Sequence, residues 1–87
     1  MGIAARLAII AQEILNIENE KLELEQSLDL IQDPMFLSFV DPVDNPVVWI
    51  ETHTLDVRDK IRILERRKRA LLSEQQSLIV MAALRRN

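Results

Sequence analysis

The 87 residues include no cysteine, which excludes disulfides and thiolate metal sites. Glycine occurs once, at Gly2, so a glycine-rich loop cradling phosphate is excluded as well. Tyrosine is absent, and the aromatic residues are Phe36, Phe39 and Trp49 alone. The single imidazole, His53, has no second histidine or cysteine with which to converge on a metal. Ser27, Ser38, Ser73 and Ser77 have no histidine near them in sequence, so nothing points to a hydrolase triad. Glu18, Glu20, Glu23 and Glu25 fall mostly on different helix faces and read as a solvated acidic surface. These absences lead to the expectation of a protein that is not an enzyme and uses no cofactor or metal.

Long apolar runs are missing too. The longest, Leu78 to Leu84, is seven residues, against roughly 20 needed to cross a bilayer. The first residues lack the basic region, apolar core and cleavage site of a signal peptide. Arg6 stands where a myristoylation signal wants Ser or Thr. The expected setting is therefore the cytoplasm, or a virus particle assembled in one.

What is present is Leu, Ile, Val and Ala in a helical rhythm. Ile3, Leu7, Ile10, Ile14, Ile17, Lys21, Leu24, Leu28 and Ile31 alternate at spacings of four and three, the signature of a heptad seam. Asp33-Pro34 ends it, because the residue before proline is pushed out of the helical region. Val57, Ile61, Leu64, Lys68, Leu71, Gln75, Leu78 and Ala82 repeat the alternation. The spacing predicts helices over about 3–32 and about 55–85, the second capped by Thr54 with His53 beside it. Lys21, Lys68 and Gln75 interrupt the seam and are candidate register-setting residues; alternatively the lysine stems pass apolar neighbours to reach water.

Residues 33–53 read as a proline-rich connector. Asp33-Pro34, Asp41-Pro42 and Asn45-Pro46 mark turns. The β-branched and aromatic flanks, Met35 to Val40 and Val47 to Ile50, form either an irregular loop or a short β-hairpin. The predicted fold is all-α, a single-domain, long antiparallel two-helix hairpin of coiled-coil type, with any strand confined to the connector.

Charge supports the pairing. Residues 1–45 hold two basic and nine acidic side chains, −7; residues 46–87 hold nine basic and five acidic, +4. Glu13, Glu18, Glu20, Glu23 and Glu25 are expected to face Arg58, Lys60, Arg62, Arg66, Arg67, Lys68 and Arg69. Each exposed pair contributes little, but together they choose partner and orientation. Arg66-Arg67-Lys68-Arg69 is the one nucleic-acid-like run. It wraps the whole helix circumference, competes with helix 1 carboxylates and has no interleaved aromatic residue, so nucleic-acid binding ranks last.

The apolar arc widens toward the chain ends. Ile3, Ala4, Leu7, Ala8, Ile10, Ala11, Ile14, Leu15 and Ile17 cover about half the circumference of helix 1 at 100° per residue. Ile9 lies outside even that arc. Leu78, Ile79, Val80, Met81 and Leu84 make the end of helix 2 apolar all round. An antiparallel hairpin brings these ends together, and two facing helices hide only one stripe each. The surplus marks an interface, with Phe36, Phe39 and Trp49 as a second apolar element at the connector. The expected partners are protein chains: copies of the same chain, or subunits of a larger assembly such as a phage or virus particle.

The element order, helix, β-flanked turn, helix, with both chain ends at an apolar tip, resembles the smaller prefoldin subunits. That resemblance implies a holding chaperone. It covers most of the chain but rests on no motif, and this chain is shorter, with a connector that is proline-rich and lacks glycine. A small helical regulator docking on a larger protein is a further reading.

Overall fold

A computed structural model describes residues 2–33, 35 and 46–85. Two helices account for nearly all of them: α1, Ile3–Ile31, and α2, Pro46–Arg85. No strand occurs among the described residues.

Helix α1 starts where Gly2, in extended conformation, accepts the Arg6 N–H through its carbonyl at 3.1 Å. It stops close to the expected boundary. The Gln32 N–H donates to Leu28 O at 3.3 Å and the Asp33 N–H to Leu30 O at 3.1 Å, so two of the last carbonyls are satisfied. The Asp33 side chain then accepts the Met35 N–H at 2.9 Å, the hydrogen bond of an Asx turn.

Helix α2 begins nine residues earlier than the spacing from Val57 suggested, and this corrects two expectations. Thr54 lies inside the helix and is not its cap. Val47 to Ile50, expected as loop or strand, are the first turns of α2; the other flank, apart from Met35, lies outside the described residues. Proline suits a first helical turn, where its missing N–H would have had no partner. Ile50 and Thr54 also continue the alternation backwards from Val57, and both are half-buried. The half-buried Ile50 and Thr54 thus extend the helical seam, and the exposed Val47 and Val48 continue the same helix despite their β preference.

The helices run antiparallel: Arg6 meets Glu74, Glu13 meets Arg67 and Lys21 meets Glu65. The rod measures 66 × 17 × 17 Å. Its length is close to the ~60 Å that a 40-residue helix spans at 1.5 Å per residue. The core is a single seam. Ile10, Ile17, Ile31, Val57 and Leu71 are buried, with Ile14, Leu64 and Leu78 packed against the Ile10–Ile17–Leu71 cluster. Every residue of both predicted seams is buried or half-buried.

Candidate protein interface

The interface set expected at the chain ends divides in two. Ile3, Leu7, Ile10, Ile14 and Leu78 belong to the seam and are spent on holding the hairpin together. Ile9, Leu15, Ile79, Val80, Met81 and Leu84 stay exposed, Ile79 at 54% and Leu84 at 68%. Register explains part of this. Arg6 is level with Glu74, so α1 begins about level with residue 77, and the last turns of α2 project past it. Helix geometry explains the rest, because Ile9 and Leu15 point away from the stripe that faces α2.

At the other end Trp49 is half-buried. Its ring lies 4.2 Å from that of His53, tilted by 30°, and His53 Nδ1 is 2.9 Å from the Trp49 carbonyl oxygen. His53 is thus engaged within its own helix. Phe36 and Phe39 lie outside the described residues.

Charged side chains border the seam on both sides. On one side Arg6 grips Glu74 with two hydrogen bonds, Nε to Oε2 at 2.6 Å and Nη2 to Oε1 at 2.8 Å, and Arg67 approaches Glu13 to 3.9 Å. The fork of the guanidinium matches the carboxylate, which makes such pairs directional. The hydrogen bond from Arg6 holds the Glu74 carboxyl below its usual pKa. On the other side the two seam lysines cross over. Lys68 of α2 reaches Glu18 of α1 at 2.5 Å, while Lys21 of α1 approaches Glu65 of α2 at 3.8 Å. The Lys68 hydrogen bond, with the Lys21 charge nearby, likewise depresses the Glu18 pKa. The lysine ammoniums therefore end on carboxylates of the facing helix. Gln75 is half-buried at its seam position.

Sequence reasoning missed the Arg6–Glu74 pair, the best-formed of these contacts. Summing charge by halves hid it, because Arg6 is a cation in the acidic half and Glu74 an acid in the basic half. Seven-residue spacing was the available signal: Arg6 and Glu13 share one edge of α1, as Arg67 and Glu74 share one edge of α2. Two members of the basic run, Arg67 and Lys68, are engaged with α1 carboxylates. Arg62 and Lys60 turn instead to Asp59 and Asp56 of their own helix.

A compact monomer of 10.1 kDa exposes about 5,300 Å² by the usual size scaling, whereas this rod, 66 × 17 × 17 Å, exposes 6799 Å². Among the described residues no helix is long and apolar enough to cross a membrane, and no group of three His, Asp or Glu side chains is placed to hold a metal.

The chain matches no protein-family model, no curated protein and no solved structure.

Proposed function

We propose that this chain is a non-enzymatic building block that acts through helix–helix contacts in a protein assembly, with copies of itself as its first partner. The observation that carries this reading is the division of the terminal apolar residues. The seam is filled from within the chain, yet Ile9, Leu15, Ile79, Val80, Met81 and Leu84 remain in water. An apolar surface of this kind invites association, and a two-helix hairpin with one seam buries a small core, so association adds to a modest stability. A rod with such an end suits a bridging part in a larger particle.

The test is the mass of the purified chain by sedimentation over a range of concentrations, beside the variant Leu15→Asp/Ile79→Asp. Both positions are exposed, so the hairpin itself tolerates the change. The wild type is expected as a discrete oligomer and the variant as a helical monomer. A wild-type monomer that suppresses aggregation of an unfolded protein would instead support the holding-chaperone reading and overturn this one. An oligomer unaffected by the two aspartates would remove the terminal end from the interface.

A further inference from the structure

The two long flanks of the hairpin differ. One carries Arg6, Glu13, Arg67 and Glu74, whose charges meet across the seam. The other is marked by Glu18 and Glu65 with their crossing lysines, above a shallow groove lined by Lys21, Glu65, Lys68, Arg69 and Leu72. Seven-residue steps trace this second flank toward the chain ends, since residues seven apart share one side of a helix in a heptad seam. From Glu18 they lead to Ala11 and Ala4; from Glu65 they lead to Leu72 and Ile79. Ala8 lies next to that column on α1, as Gln76 does on α2. All of these alanines, with Leu72, Gln76 and Ile79, are exposed.

We infer that a second copy of this chain docks on this flank, side by side and pointing the same way, so that α1 of each lies against α2 of the other. The inference rests on the self-association proposed above and specifies its geometry. Shape selects the arrangement. The α1 strip is shallow, made of alanine, whereas the α2 strip is a ridge of Leu72 and Ile79. A two-fold axis along the rod seats each ridge on the other copy's alanine strip, the large-on-small fit that fills a core. A two-fold axis across the middle of the rod would carry the ridge to the Arg58 end of the other copy's α2 and set the alanine strips against the Glu25 end of α1, so that neither ridge nor strip meets its complement. Charge favours the same arrangement at one point. Further along the flank α1 presents Glu18 and Glu25, and α2 presents Arg58, Arg62, Glu65 and Arg69. The lengthwise axis brings Glu25 toward Arg58 and Arg62 of the other copy, and sets Glu18 level with Glu65, with Arg62 and Arg69 about one turn to either side. All neighbouring helices then run antiparallel, as in a four-helix bundle with two seams per helix.

Cysteine cross-linking tests this directly, because the chain has no thiol of its own. Ala8→Cys and Gln76→Cys are made separately, mixed, unfolded in urea, refolded together and oxidised. Extrapolating the register places both residues at about the same level of the rod. The expected product is a mixed disulfide dimer, identified by mass, at several times the yield of either variant oxidised alone. Efficient cross-linking of Ala8→Cys with itself would overturn the arrangement in favour of α1 against α1. A dimer by sedimentation that gives neither product would place the contact on another face, overturning this inference while the self-association stands; a monomer would remove both. As a second measurement, Leu72→Ala/Ile79→Ala is expected to raise the dimer dissociation constant at least about tenfold with helicity retained. An unchanged constant counts against the ridge.

Discussion

Ile17 and Leu15 sit two residues apart on one helix, and the hairpin predicts opposite fates for their truncation. Ile17 is 2% exposed and packs in the cluster with Ile10 and Leu71; Leu15 is 53% exposed. Ile17→Ala removes the Cγ1, Cγ2 and Cδ1 carbons from a closed site. At about 0.8 kcal/mol for each buried carbon the transfer loss alone is about 2.4 kcal/mol, and the cavity left behind brings the expected cost into the range of about 2–5 kcal/mol. A chain of this length has a total stability of roughly 4–13 kcal/mol, so the substitution removes a large share. The corresponding fall in melting temperature is roughly 10–30 °C. Leu15→Ala loses only surface that is already half in water and gains helix propensity, so its effect within one hairpin should stay within about 0.5 kcal/mol. Any further effect of Leu15→Ala must come from association and must fade on dilution. Thermal unfolding followed by circular dichroism over a hundredfold range of concentration separates the two. If Ile17→Ala leaves the melting temperature within a degree or two, or if Leu15→Ala is equally damaging at the lowest concentration, the seam has been placed on the wrong face.

Glu18 and Glu74 titrate below the ordinary value of 4.5 because Lys68 and Arg6 hydrogen-bond their charged forms. A depressed folded-state pKa stabilises the fold above 4.5, and that contribution is lost as pH falls through the lower folded values; Glu74→Gln should flatten this part of a stability-against-pH curve, and an unchanged curve would discount the pair. Among the described residues the half-buried Thr54 hydroxyl has no hydrogen-bond partner, so Thr54→Val should stabilise by about 1–3 kcal/mol, read as a higher urea midpoint; a lower midpoint would mean that the hydroxyl is satisfied. Replacing Lys21 and Lys68 together by Leu removes the crossed pairs, while the Glu18 and Glu65 side chains, 42% and 49% exposed, can turn toward water. The expected result is equal or higher melting temperature with several oligomeric masses in native mass spectrometry. A single unchanged mass with a lower melting temperature would deny the lysines a register role.

Heptad spacing was sufficient to name the two helices and their seams, because a stripe repeated at four and three residues is hidden by another helix, and Pro34 was sufficient to name the stop at Asp33. The spacing was sufficient, too, to show more apolar surface at the chain ends than one helix pair covers. Local signals misplaced the start of α2. The β-branched and aromatic run before His53 resembles a strand in isolation, and only its position over the end of α1, where Ile50 and Thr54 extend the seam, makes it helical. Register was likewise beyond the sequence. Several offsets keep the apolar stripes in contact, and the observed one is distinguished by the Arg6–Glu74 fork and the crossed Lys21–Glu65 and Lys68–Glu18 pairs. That register in turn decides which terminal residues are consumed by the seam and which are left over. Ile10 is fully buried because its seam position faces α2, whereas Ile79 stands one residue off the seam position Leu78 and is 54% exposed, as Leu72 seven residues before it is 41% exposed alongside α1.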